Sequence, residues 1–222
     1  MTAKANRRTD TRGLILSTAE RLFAEHGVAT VSNRQVSEVA GQGNNFAVGY
    51  HFGNKAGLIR EIVRKHAEPM ERVRLTMLAE VSGSSELRDW VSCLIRPVTG
   101  HLDALGSPSW YARFTAQVMT DPTLWPIAVE EALTAHSMRQ TLKGLIRCCP
   151  TLPDEVRAER SDMTRHVLLL VCAERERALA EGSPTPRSTW DDTATGMINA
   201  IVGLWLAPAA GQPSGVTANP VL

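Results

Sequence analysis

The sequence predicts an all-α fold of about nine helices, with a small N-terminal helix-turn-helix domain followed by a larger helical domain. Apolar residues recur at spacings of three and four along most of the chain, which is typical of amphipathic helices. No segment alternates apolar and polar residues convincingly enough to predict a strand. The 222 residues are 43% hydrophobic and 21% charged, an ordinary balance for a globular protein.

The first helix is predicted from Asp10 to His26, with its apolar positions on one face. These positions are Ile15, Ala19, Leu22 and Phe23. Gly27 follows at the place where a left-handed residue commonly ends a helix. Residues 1–9 are polar and basic, and we expect them to form a flexible arm.

A second helix is predicted to begin at Asn33. Ser32 and Gln35 have the spacing of a capping box, in which each side chain bonds the other residue's backbone N–H. We expect this helix to bury Val36, Val39 and Ala40.

A third short helix is predicted near residues 46–52, after a Gly-rich turn. The helix-turn-helix motif then spans 33–52, inside a domain of residues 10–66. A fourth helix follows the segment GNK, and Pro69 is expected to kink or end it, because proline removes a helical hydrogen bond.

Residues 67–206 are predicted to form the larger helical domain. Helical spacing occurs in 84–105, in 122–148, in 154–181 and in 190–206, and Pro108 suits the first turn of a further helix. The tail, 207–222, is rich in Pro and Gly and is predicted to be disordered.

The charge distribution favours a DNA-binding N-terminal end. Residues 1–66 contain ten Lys or Arg and five Asp or Glu, a net charge of +5. Residues 67–222 carry a net charge of −4, so the overall charge of +1 conceals a basic N-terminal part and an acidic remainder. Phosphate attraction is the sequence-independent part of DNA affinity, and we therefore expect double-stranded DNA as a partner.

Several other classes of protein are disfavoured. The four cysteines are too few and too irregular for a disulfide framework, and no C-x-x-C or H-E-x-x-H motif predicts a metal site. No acid, base and nucleophile cluster predicts an enzyme, and no cofactor is expected. The N-terminus lacks an apolar signal region and no apolar run approaches membrane-spanning length, so we expect a cytoplasmic, nucleoid-associated protein without a membrane partner.

The candidate DNA-contacting residues lie around the predicted turn between the second and third helices. A recognition helix inserts its N-terminal end into the major groove, while helix N-termini bind phosphates. The candidates are Ser32, Arg34, Asn44, Asn45, Phe46, Ala47, Tyr50, His51 and Lys55. Three alternatives remain: Ser32 can serve only as a cap, the two asparagines can serve only as turn formers, and Lys55 can be an ordinary solvated lysine.

These residues resemble the TetR family of bacterial transcriptional regulators. The matching segments are TRGLILSTAERLFAEHG, then SNRQVSEVAG, then Tyr50, His51, Phe52, Lys55 and Leu58 in the pattern YHF-x-x-K-x-x-L. The resemblance implies a dimer that binds a roughly palindromic operator, with Ser32, Arg34, Tyr50, His51 and Lys55 at or near DNA-contacting positions. The turn is one residue longer than the common family pattern, so Gly49 occupies the usual tyrosine position, and Phe46 is bulkier than usual.

The resemblance also implies a small-molecule pocket and a dimer face in the larger domain. Candidate pocket residues are His101, Trp110, Phe114, Met119, Trp125 and Met138, although such residues can equally form plain core. Candidate dimer residues are Val167, Leu168, Val171, Met197, Ile201, Leu204 and Trp205, with burial inside the monomer as the alternative.

The sequence therefore predicts a homodimeric repressor that an apolar or amphipathic effector releases from its operator. The alternatives are a ligand-independent or activating DNA-binding regulator and, less favoured, an all-α enzyme of unknown chemistry.

Overall fold

The computed structural model describes residues 2–43, 46–149 and 151–209, with side chains described from residue 11 onward. These residues form ten α-helices and no strand, which confirms the all-α prediction. The helices are α1 (Thr2–His26), α2 (Asn33–Val39), α3 (Ala47–Phe52), α4 (Lys55–Glu80), α5 (Leu87–Leu105), α6 (Tyr111–Thr120), α7 (Trp125–Thr134), α8 (His136–Arg147), α9 (Asp154–Ala180) and α10 (Trp190–Leu206).

Local sequence signals set the boundary between α1 and α2. Gly27 has a φ of 95°, a left-handed value that glycine adopts without steric cost, and α1 ends just before it. The predicted capping box is present: Gln35 N donates to Ser32 Oγ at 3.2 Å, and Ser32 N donates to Gln35 Oε1 at 2.8 Å. Helix α2 therefore begins at Asn33, as predicted.

Two expectations for the N-terminal helices differ from the structure. Helix α1 already begins at Thr2, so residues expected to form a flexible arm continue the helix. Residues 2–9 contain no Gly or Pro and include Ala, Lys and Arg, which favour helix. Val39 is 53% exposed, because Val36, Ser37 and Ala40 define a buried face of α2 that is turned away from it.

Prolines do not end the long helices. Helix α4 continues through Pro69 to Glu80, and α5 contains Pro97. A proline leaves the carbonyl four residues earlier without its helical donor, which for Pro97 is the carbonyl of Cys93. The Arg74 side chain from α4 supplies the missing donor, with Nε 3.2 Å from Cys93 O.

The larger domain contains one more helix than expected. The segment 122–148 divides at Ala135 into α7 and α8, because the backbone of Ala135 is extended (φ −68°, ψ 124°). Helix α6 begins at Tyr111 rather than near Pro108, whose peptide bond with Ser107 is cis.

The buried apolar residues form a nearly continuous core. At the N-terminal end, Phe23, Val48 and Leu58 bring α1, α3 and α4 together. In the larger domain α10 lies along α5, α6 lies against α9, and α8 packs on α4 and α5. Helix α4 belongs to both regions and connects them. Among the described helices, none combines the length and apolar character needed to cross a membrane.

Candidate functional site

The N-terminus of α2 is exposed and carries two of the candidate DNA-contacting residues. Ser32 caps the helix through its hydroxyl, so its structural role is satisfied without any ligand. Arg34 is exposed, and its Nε lies 2.7 Å from Glu38 Oε1 one turn later. This hydrogen bond and the charge of Glu38 raise the pKa of Arg34. Both side chains are accessible to a phosphate.

The N-cap residue of α3 and the helix itself present aromatic side chains to solvent. Phe46 is 80% exposed and Tyr50 is 66% exposed, and the Tyr50 ring meets the His51 ring edge to face with centroids 5.0 Å apart. Ala47 is only 6% exposed and belongs to the hydrophobic core together with Val48. The candidate role of Ala47 in DNA contact is therefore not supported. Asn44 and Asn45 lie outside the described residues.

The start of α4 is held close to the end of α3. Asn54 caps α4 by accepting from Gly57 N at 2.8 Å. A Cβ atom on Gly57 would lie 2.1 Å from the carbonyl oxygen of Phe52, so no other residue fits there without movement. Lys55, at the first position of α4, has its Nζ 5.6 Å from the centre of the Phe23 ring, and partial burial lowers its pKa. The sequence alone does not indicate the need for glycine at position 57, because this need arises from a close contact between two helices.

A cavity of about 600 Å³ lies within the larger domain, bounded by helices α4 to α9. Its wall is mainly apolar and includes Met70, Val98, Leu102, Val118, Met119 and Met138. This volume is in the range of roughly 300–1,000 Å³ found for small-molecule sites.

Two of the six candidate pocket residues, Met119 and Met138, line this cavity. The other four lie elsewhere. Phe114 stacks on Phe23 of α1 with centroids 6.1 Å apart, and Trp110 Nε1 donates to Glu25 of the same helix.

Trp125 and His101 also lie outside the cavity wall. The Arg165 guanidinium covers the Trp125 ring at 4.3 Å from its centre. His101 Nε2 lies 2.8 Å from His66 Nδ1. His101 lies on α5 and Phe114 on α6, and each of these helices has buried residues on a side that does not line the cavity.

Charged residues at the cavity wall are mostly paired. Glu131 of α7 accepts two hydrogen bonds from Arg64 of α4, at 2.7 and 2.9 Å, and it also lies 3.0 Å from Arg60 Nε. Arg74 differs from these paired residues because its charge is almost fully buried. Its side chain is only 4% exposed, and this burial lowers its pKa.

A buried polar cluster joins α1 to the cavity wall. His66 Nε2 lies 2.9 Å from Glu20 Oε2, and Lys65 Nζ lies 3.1 Å from the same oxygen. Burial raises the pKa of Glu20, but His66 and Lys65 outweigh it and the net pKa is lowered. The carboxylate therefore accepts from His66.

The other side of this cluster reaches the cavity. The His66 ring stacks on Tyr111, a lining residue, with centroids 3.9 Å apart. Burial, followed by the charge of His66, lowers the pKa of His101 to about 4. Burial raises the pKa of Tyr111 to about 12. Neutral His101 can therefore accept a hydrogen bond from Nδ1 of His66, whose Nε2 donates to Glu20.

Three of the candidate dimer residues are buried inside the protomer. Met197, Ile201 and Trp205 are at most 4% exposed, on the side of α10 that faces the core of the same chain. The expectation that these three form a dimer face is corrected here, because the apolar side of α10 is covered by α5.

The other four candidate dimer residues are partly exposed. Leu168 lines the cavity, and Val167 and Val171 border a second hollow between α9 and α10. Leu204 is half-buried on α10.

The described residues contain no group of three or more His, Cys, Asp or Glu side chains arranged to hold a metal ion.

Comparisons with known proteins match both regions of the chain. Residues 15–62 match the family described as bacterial regulatory proteins, tetR family, and residues 92–203 match the tetracyclin repressor-like C-terminal domain. The chain is 35% identical over 156 residues to the HTH-type transcriptional repressor AcnR of Corynebacterium glutamicum. The match covers 65% of this chain and 73% of AcnR.

Two solved structures are also similar. A gamma-butyrolactone receptor (ArpA-like protein) is 19% identical, with coverage of 89% of this chain and 83% of the receptor and a TM-score of 0.43. A protein described as a TetR-family transcriptional regulator from Mesorhizobium loti is 14% identical, with coverage of 89% and 98% and a TM-score of 0.46.

Proposed function

Because the chain belongs to the TetR family of bacterial regulatory proteins, we propose that it is a transcriptional repressor controlled by a small molecule bound in the cavity. The family is one of transcriptional regulators rather than enzymes. The relative AcnR is named as a repressor, which supports this direction of regulation.

One observation carries the proposal: a single helix joins the DNA-binding end to the cavity. Helix α4 begins at Lys55, beside α3, and farther along it supplies Val63, Met70 and Arg74 to the cavity wall. A ligand that moves this stretch of α4 also moves the helix start that packs on α3. Ligand binding can then favour a conformation with lower operator affinity.

The operator contacts are assigned to the exposed side of α2 and α3 and to the start of α4. Arg34 and Lys55 supply phosphate contacts, while Tyr50 and His51 lie on the helix that enters the major groove. The exposed ring of Phe46 packs against base or sugar edges at the groove entrance.

A homodimer is the proposed assembly. Helix α9 exposes Met163 and Leu170, and Val167 between them is half-buried. Together these three side chains form an apolar stripe along one face of α9. Helix α10 lies next to it and exposes Ala200 and Gly203. Exposed apolar side chains on two adjacent helices are typical of an interface with a second copy. Two recognition helices would then enter successive major grooves about 34 Å apart.

The regulator is tested by selecting operator sequences from random DNA with the full chain and measuring affinity by fluorescence anisotropy. We expect specific sites of roughly palindromic form. Affinity that is equal for selected and random DNA at moderate salt would contradict sequence-specific regulation.

The phosphate contact is tested with Lys55→Ala. This variant should weaken binding to all sequences and reduce the slope of log affinity against log salt by about one unit. Lys143→Ala, which removes an exposed lysine of α8, is the matched control and should change neither quantity.

The dimer is tested by sedimentation equilibrium of Leu170→Glu. A charge in the middle of the proposed interface should produce monomers, whereas Leu75→Glu, at an equally exposed leucine of α4, should leave the dimer intact. A wild-type monomer at micromolar concentration would contradict the assembly.

A further inference from the structure

Arg74 places an almost fully buried cation at the wall of an otherwise apolar cavity. Its side chain is 4% exposed, and apolar lining residues such as Met70 and Leu102 lie around it. Burying a charge is costly unless it is paired and hydrogen-bonded. The hydrogen-bond partners of Arg74 therefore decide what the cavity favours.

One nitrogen of Arg74 has a structural partner. Nε donates to Cys93 O, the carbonyl that Pro97 leaves without a helical donor. This bond uses Nε to hold the Arg74 side chain against α5 and leaves the two Nη atoms for other partners.

The two Nη atoms make no hydrogen bond within the described part of the chain. Glu71 is the nearest carboxylate, and its Oε2 lies 3.6 Å from Nη1, beyond hydrogen-bonding distance. That oxygen accepts from Ser137 Oγ of α8 instead. Up to four N–H donors are therefore left at the cavity with their charge only partly offset.

Apart from Glu71, the other charged residues of the cavity wall are paired with ions other than Arg74. Glu131 is held by Arg64 and Arg60, and Glu68 lies at the exposed rim, 2.9 Å from Arg72. Arg74 is thus the charged lining group whose hydrogen-bonding capacity is least used among the described residues.

From this geometry we propose that the effector is an amphipathic monoanion, a carboxylate with an apolar body. Its carboxylate accepts from the Nη atoms of Arg74, and its apolar body lies against Met70, Leu102, Met119 and Met138. A guanidinium matches a carboxylate in a bidentate manner, and such charge-assisted bonds are roughly twice as strong as neutral ones. The inference rests on the proposed function, because it names the ligand class of the same cavity.

The test compares decanoate, 1-decanol and decyltrimethylammonium, which share a chain length and differ in head-group charge. Isothermal titration calorimetry with the full chain should show decanoate binding about tenfold or more tightly than 1-decanol, because a hydrogen bond to a charged group contributes about 1.5–3 kcal/mol. Decyltrimethylammonium should bind most weakly. Equal or tighter binding of 1-decanol or the cation would overturn the proposal.

Two variants test whether Arg74 causes the preference for decanoate over 1-decanol. Arg74→Met should remove the preference for decanoate and keep the affinity for 1-decanol, whereas Arg88→Met, at an exposed arginine of α5, should change neither. A preference that survives Arg74→Met would also overturn the proposal.

Arg74→Met leaves Cys93 O without a donor and can prevent folding, so Glu71→Gln provides a second route. This variant keeps the bond to Cys93 and removes the competing carboxylate. It should strengthen decanoate binding several-fold and leave 1-decanol unchanged. An unchanged or weaker affinity for decanoate would count against the proposal.

Failure of this inference is distinct from failure of the proposed function. If none of the three probes binds while a selected operator is still bound specifically, the ligand class is wrong and the regulator stands. If the probes bind in the expected order and decanoate leaves operator affinity unchanged, the ligand class stands and control by the cavity is wrong.

Discussion

Replacing Gly144 by alanine should destabilise the protein, although the same replacement in an exposed helix usually stabilises it. Gly144 lies inside α8, where a Cβ atom would be 2.0–2.4 Å from three atoms of the Trp90 ring. Ordinary carbon–carbon contacts are about 3.5–4.0 Å, so the ring or α8 must shift by about 1.5 Å. The ring is held by a hydrogen bond from Nε1 to Ser84 O at 3.1 Å and by the Arg147 guanidinium 5.3 Å from its centre.

The net cost follows from two opposing effects. Overpacking of a core typically costs about 1–3 kcal/mol, and here the clash is at the severe end of that range. Alanine gains about 1 kcal/mol over glycine in helix propensity. We expect Gly144→Ala to lower the free energy of unfolding by about 2 kcal/mol.

Urea denaturation followed by circular dichroism measures the difference at a fixed protein concentration. Gly100→Ala is the matched control, because Gly100 lies inside α5 with no atom within 4 Å of its added Cβ. It should raise the free energy of unfolding by about 0.5–1 kcal/mol. If both variants are stabilised equally, the close approach of α8 to Trp90 does not exist in solution.

Three further predictions concern single side chains. Glu176→Gln should lower the free energy of unfolding by about 2 kcal/mol, because this buried carboxylate accepts four hydrogen bonds at the start of α6. Urea titration measures the change, and an unchanged midpoint would contradict the prediction. Ser32→Ala should cost about 1 kcal/mol and Ser32→Gly only a few tenths, because glycine is itself a tolerated cap; equal losses for both would remove the capping explanation. Stability should fall as the pH drops from about 6.5 to about 4, because His101 has a folded pKa of about 4, below its ordinary value of 6.5, and the unfolded chain binds the extra proton. His101→Gln should flatten the pH dependence measured by thermal unfolding, whereas His166→Gln, at an exposed histidine, should preserve it.

Features encoded by neighbouring residues could be predicted from the sequence. The capping box of Ser32 and Gln35 and the left-handed Gly27 involve residues within one helical turn, so their spacing is itself the signal. The family resemblance depended on the same short segments. The all-α fold was accessible for a similar reason, because helical periodicity is a local property.

Features that depend on distant contacts could not be predicted. Met197 and Trp205 are apolar whether their partner is α5 of the same chain or a second protomer, and the sequence does not specify which. A polar residue type such as His101 predicts a place in the pocket, although its partner in the structure is His66 on another helix. The role of Arg74 has no signal in the sequence. It depends on Pro97, 23 residues later, and on a cavity formed by six helices.

The carboxylate of Glu176 has a consequence for assembly. It extends from α9, the helix that carries the exposed stripe, and binds the first backbone amides of α6, the helix that forms part of the cavity wall. A ligand that displaces α6 would therefore strain the bonds to Glu176 or displace α9 as well. Free-energy coupling between two binding events is reciprocal, so a molecule that loosens subunit association must itself bind more weakly to the associated form. If the proposed dimer forms, the apparent affinity for such an effector should depend on protein concentration, so the response to the effector would vary with the amount of this protein in the cell.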